Sequence, residues 1–376
     1  MRNLLYIVAL LLLLQPAAAP ADDVIKIGLS IKIIRNANGN LPTGVVPARV
    51  ESLLLSAFNE LVVGYRRGHR FEYAGPITEI GGPDPNGPSQ WYDAEWSSCP
   101  GIRSAALADP NAYAWHSSAI NVYITNAPGQ VAVLCPFKQS NPIIVVERNS
   151  AERAMDYFHE IGHYFGLCHS HGCGCGACVP NQTGVCFTEP GDDGIDDTLA
   201  DAGCWNADQI AQHHFGTSFS NLDAANQERV VDAVQNVMSY RSLRTRLTEE
   251  QLDVWADYAS TMYSNVADGR TYFVATNGSI SGTGRSTHPV DTVTNGVALA
   301  SRDGNDIVLL RPGVYHETPT IQRPVTLRAT RAGPAIIGLP RSPPGPSSCP
   351  ASSPICCEIG PADTCLLCIP MGKHCP

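Results

Sequence analysis

Residues 159–179 read HEIGHYFGLCHSHGCGCGACV and contain four histidines, four cysteines and one glutamate. Nearly all of these side chains can bind a metal, whereas a zinc ion takes only three or four protein ligands. His159 and His163 are four residues apart, so on a helix both imidazoles project from one face toward a common point. Glu160 is too close to them in sequence to be an equivalent third ligand. Its natural role is that of a general base toward a metal-bound water.

The stretch extends beyond the H-E-x-x-H core, because Gly166 and His169 continue it as H-E-I-G-H-Y-F-G-L-C-H. A glycine accepts the positive φ of a sharp turn, so Gly166 lets the helix end and the chain return toward the metal. His169 is then the third ligand, and three histidines leave one zinc position open for water, as in catalytic sites. His171 is the rival third ligand, and we expect it at the cleft rim or in solvent.

The pattern H-E-x-x-H-x-x-G-x-x-H resembles the signature of the metzincin zinc metallopeptidases, which also carry a Met-turn. The segment NVMSY (236–240) matches that turn in this chain. The resemblance implies that Met238 forms an apolar floor beneath the zinc without binding it. It also implies that Tyr240 donates a hydrogen bond to the developing oxyanion. Ordinary core packing is the alternative for both residues when they are considered without the upstream motif.

Within the metzincins, the chain is most similar to the pappalysin, or cytophagalysin-like, branch. Three segments carry this similarity: AINVYIT (119–125) as the cleft-edge strand, DGIDDT (193–198), and NVMSY followed by a Thr-capped helix. The similarity covers about residues 24–265. It implies an α/β (α+β) catalytic domain with zinc in a cleft between two subdomains.

Calcium is a second cofactor that this branch implies. Asp193, Asp197 and Thr198 match its G-D-x-x-x-D-T-like segment, within EPGDDGIDDTLAD. Hard oxygen ligands on a loop broken by glycine are what calcium prefers. A solvated acidic loop is the alternative, and the spacing does not fit an EF-hand.

The start of the chain is typical of a secretory signal peptide. Arg2 supplies the positive n-region, Leu4–Leu14 the apolar stretch, and the segment 19–21 a small-residue cleavage site. A membrane anchor is the alternative, but eleven apolar residues are too few to span a bilayer. We therefore expect a secreted, extracellular protein with no membrane span. A formal net charge of −10 without a Lys/Arg-dense stripe argues against nucleic acid as a partner.

Fourteen cysteines indicate disulfides in an exported protein. Eight of them lie between Cys99 and Cys204 and six between Cys349 and Cys375, which suits two separately bridged modules. Cys168 and the three cysteines of HGCGCGAC are interpreted as disulfide partners that fix the loop after the zinc motif. A second, structural metal at the CxCxxC run is the alternative, and the connectivity stays open.

Short-range patterns predict most elements of the catalytic domain. Pro47 is predicted to open a helix that ends at Gly64, and a helix from about Ala151 carries the zinc motif. Thr248 with Gln251 forms a capping box for a later helix. The apolar face of that helix is predicted to be Leu252, Trp255, Ala259 and Met262. The predicted strands are VIKIGLSIKII (24–34), RFEYAGPITEI (70–80), AINVYIT (119–125) and PIIVVER (142–148).

Beyond about residue 270 the chain changes character to short strands separated by Gly and Pro turns. Residues 289–338 resemble the opening coils of a right-handed, pectin-lyase-like parallel β-helix, with only two or three rungs available. We interpret this region as a remnant docked on the catalytic domain. The predicted organisation is a signal peptide (1–21), a zinc metallopeptidase domain (22–266), a β-rich, β-helix-like region (267–340), a linker (341–348) and a Cys-rich disulfide module (349–376).

Two classes of function remain open at this point. The first is a secreted zinc-dependent endopeptidase that hydrolyses a protein or peptide substrate with a zinc-bound water activated by Glu160. The second is a catalytically retired surface or matrix binding protein that acts through its C-terminal modules. An intact Glu160 favours the first, since a retired enzyme does not need the base. The oligomeric state is left open by the sequence.

Overall fold

The computed structural model describes most of the chain between residues 24 and 338. The described residues are 24–52, 67–171, 191–202, 205–241, 244–301, 305–330 and 332–338, with 355–359 and 365–369 described as backbone only. The predicted signal peptide (1–21), the linker (341–348) and most cysteines after Cys168 lie outside them. Most of the helix predicted from Pro47 also lies outside them, and its residues 47–52 are helical.

A mixed sheet is the scaffold of the region before residue 267, and the described residues contribute six strands to it. These are β1 (Ile25–Ile34), β2 (His69–Tyr73), β3 (Thr78–Ile80), β4 (Ile120–Ile124), β5 (Ala132–Cys135) and β6 (Ile143–Val146). The order is β2-β1-β4-β6-β5, with β3 also paired to β1. Every pairing is parallel except that of β5 with β6. This arrangement confirms the predicted mixed α/β class.

The prediction for AINVYIT was right about the strand and wrong about its place. This segment forms β4, which pairs with β1 on one side and β6 on the other. All five of its residues are buried. This is usual for a central strand of a parallel sheet, because other elements cover both faces of the sheet. The strand at the edge beyond β6 is β5, which runs antiparallel to β6. The site described below therefore lies beside β5 and not beside β4.

The helices of the described residues are α1 (Cys99–Ala108), α2 (Ala154–Tyr164), α3 (Ala207–Phe215), α4 (Ala224–Val234), α5 (Glu249–Ser260) and α6 (Val293–Leu299). Of these, α1, α2 and α5 pack on the two faces of this sheet. Helices α3 and α4 pack on each other, and α6 packs on strands that come later in the chain. On one face, Phe158 of α2 and Trp255 of α5 share a core with Ile31 of β1. On the opposite face, Ile102 of α1 packs with Tyr123 of β4. Within the described residues, none of the helices combines the length and the apolar character needed to cross a bilayer.

The helix α5 begins with the predicted capping box. The Thr248 side chain accepts a hydrogen bond from the Gln251 backbone N–H, and the Gln251 side chain accepts one from the Thr248 N–H. Trp255 is fully buried beneath the zinc-motif helix, with its ring centroid 5.6 Å from that of Phe158. Met262 does not continue this face, because α5 ends at Ser260 and the Met262 side chain is 48% exposed.

The C-terminal region is built from short parallel strands. Strands β7 (Thr271–Val274), β8 (Ile307–Leu310) and β10 (Thr326–Ala329) form one parallel sheet, and β9 (Gly313–Tyr315) pairs in parallel with β11 (Ala335–Ile337). Strands β12 (Ile355–Ile359) and β13 (Cys365–Ile369) form an antiparallel pair. Stacked parallel strands are what β-helix rungs would produce, and the β-helix interpretation stays a prediction.

This C-terminal region is docked on α5 through apolar and charged contacts. Ala256 of α5 forms a small buried cluster with Phe273 and Leu309. The Arg285 guanidinium lies 2.8 Å from the Asp257 carboxylate, and that of Arg311 lies 3.1 Å from Asp253. The helix α5 therefore packs on the zinc-motif helix on one side and on the C-terminal strands on the other.

Candidate metal centre

The end of α2 sets the path of the chain through the site. Gly166 follows the last turn with a φ of 85°, the positive value that the sequence predicts. Its N–H donates to the His163 carbonyl, and the Leu167 N–H donates to the Gly162 carbonyl, both at 2.9 Å. A Cβ at Gly166 would lie 2.6 Å from a ring carbon of Tyr258. Only glycine meets both the backbone and the space requirement of this turn.

Replacement of Gly166 by Ala is expected to lower the free energy of unfolding by about 2–4 kcal/mol, because left-handed backbone strain and the Tyr258 contact both add cost. Urea denaturation followed by circular dichroism measures this change. The matched control is Gly216→Ala, since Gly216 has a φ of 70° and nothing within 4 Å of an added Cβ. It should lose only about 1 kcal/mol from the backbone. Equal losses in the two variants would contradict the steric part of the prediction.

Three imidazoles converge at the end of α2. The Nε2 atom of His169 lies 3.0 Å from that of His163 and 3.1 Å from that of His159. Within the described residues, these three form a group that could hold a metal ion, with their ligand atoms all within 4.8 Å of one another. Glu160 and His171 do not belong to this group.

Two of the imidazoles have a fixed tautomer. The Nδ1 of His159 lies 2.8 Å from the Val237 carbonyl oxygen, and that of His163 lies 2.7 Å from the Leu167 carbonyl oxygen. A carbonyl oxygen only accepts, so both Nδ1 atoms must carry the hydrogen and donate it. Both Nε2 atoms therefore present lone pairs to the same point, together with Nε2 of His169. Hydrogen bonds of this kind commonly orient histidine ligands of metals.

The donor set fits a zinc ion. Zinc–nitrogen bonds of about 2.0–2.1 Å at tetrahedral angles place two ligand nitrogens about 3.3–3.4 Å apart, close to the separations that this cluster shows. Burial lowers the pKa of His163 to about 4 and that of His169 to about 2, with the neighbouring histidines adding to the second shift. The imidazoles are thus neutral near pH 7, which is the form that binds a metal.

Glu160 lies on α2 next to the edge strand. Its side chain is 7% exposed, and its Oε2 accepts a hydrogen bond of 2.7 Å from the Leu134 N–H of β5. Burial raises the pKa of Glu160 to about 8, while the Leu134 N–H and the Arg244 guanidinium act in the opposite direction. A bound cation would add to that opposite effect, since it favours the carboxylate. The carboxyl group therefore contacts the backbone of β5.

The Met-turn candidate lies directly beneath the histidines. Met238 is fully buried, and its sulfur packs against Gly162, which stands between the two histidines of α2. The Met238 carbonyl accepts a hydrogen bond of 3.1 Å from the Ser170 N–H. The Asn236 side chain accepts from the Met238 N–H and donates to the Gln251 side chain, at 2.9 Å each. This arrangement supports an apolar floor that is anchored to the start of α5.

Tyr240 stands at the open side of the cluster. Its side chain is 41% exposed, and its ring centroid lies 4.7 Å from that of His169 and 5.9 Å from that of His159. Burial, with a smaller contribution from Glu160, raises the pKa of Tyr240 to about 12. The hydroxyl is therefore protonated near neutral pH and can donate a hydrogen bond beside the histidines.

His171 does not lie at the cleft rim or in solvent, so that prediction was wrong. Its side chain is 3% exposed and stacks on His169, with ring centroids 4.9 Å apart and planes 14° from parallel. It also packs on Tyr240, with centroids 4.5 Å apart. The Ser170–Met238 hydrogen bond turns this part of the chain inward. His171 thus packs against one histidine of the cluster without joining the cluster.

The cysteines near the motif do not compete for a metal at the described positions. Cys168 is disulfide-bonded, so its sulfur is not a thiolate. Cys99 at the start of α1 is disulfide-bonded to Cys135 at the end of β5, with the Cα atoms 6.1 Å apart. This bond attaches α1 to the edge strand beside the site. The interpretation of the HGCGCGAC cysteines lies outside the described residues.

The acidic loop uses its side chains to attach itself to α5. Asp193 accepts a hydrogen bond of 3.0 Å from the Gln251 side chain, and Asp197 accepts one of 2.9 Å from the Glu250 N–H. The hydroxyl of Thr198 lies 3.4 Å from that of Thr248. In the described part of the chain, these side chains do not form a metal-holding group. The calcium prediction therefore has no support from the structure.

Two buried ion pairs near the site were missed from the sequence. Asp156 of α2 pairs with Arg244, and Asp201 pairs with Arg241. The available hint was Asp156, a charged residue one helical turn before Glu160 on α2. The partners could not be found from spacing, since they lie 88 and 40 residues away along the chain.

No protein-family model matches the chain, and no curated protein matches it either. Among solved structures, it is similar to mature mirolysin of Tannerella forsythia in complex with a cleaved peptide, at 14% identity and a TM-score of 0.40, over 65% of this chain and 95% of that chain. A mutant of promirolysin from the same organism matches at 14% identity and a TM-score of 0.40, over 66% of this chain and 85% of that chain. Likenesses of this strength do not determine the function of this chain.

Proposed function

We propose that the protein is a secreted zinc-dependent endopeptidase of the metzincin type, similar to the pappalysin branch. The observation that carries this proposal is the convergence of three neutral imidazole Nε2 atoms, with separations of 3.0 and 3.1 Å, at the end of the helix that also carries Glu160. Histidines alone would also suit a structural metal. The neighbouring carboxyl group, which is not one of the ligands, is what favours hydrolysis. Secretion rests on the signal-like residues 1–21.

His159, His163 and His169 would hold the zinc ion. Zinc held by three histidines acts as a Lewis acid toward water and toward a carbonyl oxygen. Glu160 accepts the proton of the attacking water and later returns it to the leaving amine. Tyr240 donates its hydroxyl hydrogen toward the carbonyl oxygen as negative charge develops on it.

The edge strand β5 would position the substrate. The Leu134 N–H points away from β6 and toward Glu160, so this side of the strand faces the site. An extended peptide can add to such an edge through backbone hydrogen bonds. A peptide lying between β5 and the histidine cluster would bring its scissile carbonyl past Glu160. The substrate class that follows is a protein or peptide in extended conformation.

Tyr240→Phe is expected to reduce kcat by about 10²-fold with little change in KM, because the lost donor acts on charge that develops only in the transition state. Steady-state kinetics on a quenched fluorescent peptide measures both constants. Tyr92→Phe is the matched control, since the Tyr92 hydroxyl donates to the Leu41 carbonyl at 2.9 Å, in a contact with neither the histidines nor Glu160. An unchanged kcat in Tyr240→Phe would remove this residue from the reaction.

The function itself is tested by metal analysis together with cleavage-site profiling. The purified chain is analysed for metals and then incubated with a denatured protein mixture, with and without a chelator. We expect one zinc per chain and cleavage products that the chelator abolishes. A protein that holds no zinc, or that holds zinc and cleaves nothing, would overturn the proposal. The second result would favour the catalytically retired binding protein.

A further inference from the structure

The segment after the Met-turn is joined to α2 by a buried ion pair. Nη2 of Arg244 donates to Oδ1 of Asp156 at 2.7 Å, and both side chains are about nine-tenths buried. Asp156 also accepts a hydrogen bond of 2.7 Å from the Ser150 hydroxyl. It lies three residues before His159 on α2. The pair therefore fixes the helix that carries two of the three histidines.

A second buried ion pair joins the same segment to the third histidine. Nη2 of Arg241 lies 3.3 Å from Oδ1 of Asp201, whose side chain is fully buried. Oδ2 of Asp201 accepts a hydrogen bond of 3.2 Å from the hydroxyl of Ser170, the residue directly after His169. The Arg241 guanidinium also donates to the Ala233 carbonyl at 2.7 Å. This pair fixes the turn that returns the third histidine to the cluster.

We infer that the Asp156–Arg244 and Asp201–Arg241 pairs are positioning elements of the metal centre. This inference rests on the proposed function. The three histidines come from two separate segments, α2 and the turn after it. Each ion pair holds one of these two segments against the chain that follows Met238. Separating the partners of a buried ion pair leaves an uncompensated buried charge. Movement of either segment away from its partner is therefore unfavourable. The four side chains thus act through the histidines rather than on a substrate.

Ion pairs also suit this position better than apolar packing alone. Hydrogen-bonded charges select one relative placement of two segments, whereas apolar side chains tolerate several. The histidines require such a placement, since the zinc–nitrogen distances vary by only about 0.2 Å. Arg244 also lies 3.4 Å from the Ser239 carbonyl, within the turn that carries Met238.

The test is the rate at which zinc leaves the protein. Asp156→Asn and Asp201→Asn are loaded with zinc, transferred into excess chelator and followed with a colorimetric zinc indicator. We expect release about tenfold faster than in the unmodified protein, at the low end of what outer-shell changes cost in metal affinity. The thermal stability of the zinc-free variants is measured in parallel.

Asp253→Asn is the matched control. Asp253 is a buried carboxylate paired with Arg67 at 2.7 Å and Arg311 at 3.1 Å, on the side of α5 that faces the C-terminal strands. Its replacement should lower the thermal stability by a similar amount and leave the rate of zinc release unchanged. Equal release rates in all variants, or an equal acceleration in Asp253→Asn, would overturn the inference.

A second set of variants covers the case in which the Asn variants do not fold. Arg244→Lys and Arg241→Lys keep the charge and lose the planar fork that holds the carboxylate. They should also accelerate zinc release, by a smaller factor, and unchanged rates would count against the inference. If the unmodified protein binds no zinc at all, the proposed function fails before this inference is reached, so the two failures can be told apart.

Discussion

Replacement of Glu160 by Gln is expected to reduce kcat/KM for a protein substrate by about 10³-fold, with the zinc content unchanged. An amide cannot take a proton from water, and general base catalysis contributes roughly 10²–10⁴-fold. The fold should tolerate the change. The amide oxygen of glutamine can still accept the hydrogen bond from the Leu134 N–H, and the side-chain volume is nearly the same. Peptide kinetics and metal analysis on the same sample measure the two quantities.

Glu147→Gln is the matched control for this prediction. Glu147 is also buried, at 2% exposure, and accepts a hydrogen bond of 3.1 Å from the Trp96 N–H. It lies at the end of β6 and contacts none of the three histidines in the described hydrogen-bond network. Its replacement should leave kcat/KM within about twofold. Full activity in Glu160→Gln would exclude Glu160 as the base, and equal losses in both variants would indicate a general effect of removing a buried carboxylate.

The parts of the site that could be predicted are those that local geometry determines. The four-residue spacing of His159 and His163 places both rings on one helix face wherever that helix lies. Gly166 needs its positive φ because of the turn that it makes itself. The capping box of Thr248 and Gln251 is also local, and it forms as the sequence predicts. None of these features depends on which strand or loop is packed nearby.

The edge strand could not be placed in the same way. AINVYIT and the segment of β5 are both short apolar runs, and their places depend on the order of strands in the sheet. That order is set by contacts between distant residues, such as the parallel pairing of Ile31 with Val122. The physical hint was the unbroken apolar character of INVYI, which suits a strand that is covered on both faces.

The acidic loop shows a second limit of local patterns. Asp193 and Asp197 have the chemistry of calcium ligands, and their spacing alone does not reveal other partners. In the structure, they accept hydrogen bonds from Gln251 and Glu250, which lie 58 and 53 residues further along the chain. A helix N-terminus offers unsatisfied N–H groups to any carboxylate that reaches it. In the folded chain, these two carboxylates therefore attach the acidic loop to the start of α5.

The position of His171 also depends on tertiary contacts that the local sequence does not reveal. His171 is buried and His169 is half-buried, and their rings lie near Tyr240 and stack on each other. Only His169 places its Nε2 atom about 3 Å from those of His159 and His163. The two residues are thus of the same type, two positions apart and in similar surroundings, and they differ in whether their Nε2 atom joins the cluster of imidazole nitrogens. They form a natural pair of variants.

His169→Ala is expected to abolish stoichiometric zinc binding and peptide cleavage together. A site with two histidines loses a bond to the metal, so its affinity should fall by more than the roughly 10–100-fold that an outer-shell change costs. His171→Ala should keep one zinc per chain, because it removes a ring stacked on His169 and no ligand atom. Competition with a chromophoric chelator measures both affinities. If His171→Ala loses zinc and His169→Ala retains it, the third ligand has been misassigned, and the chain binds zinc through H-E-x-x-H with a histidine eight residues beyond His163.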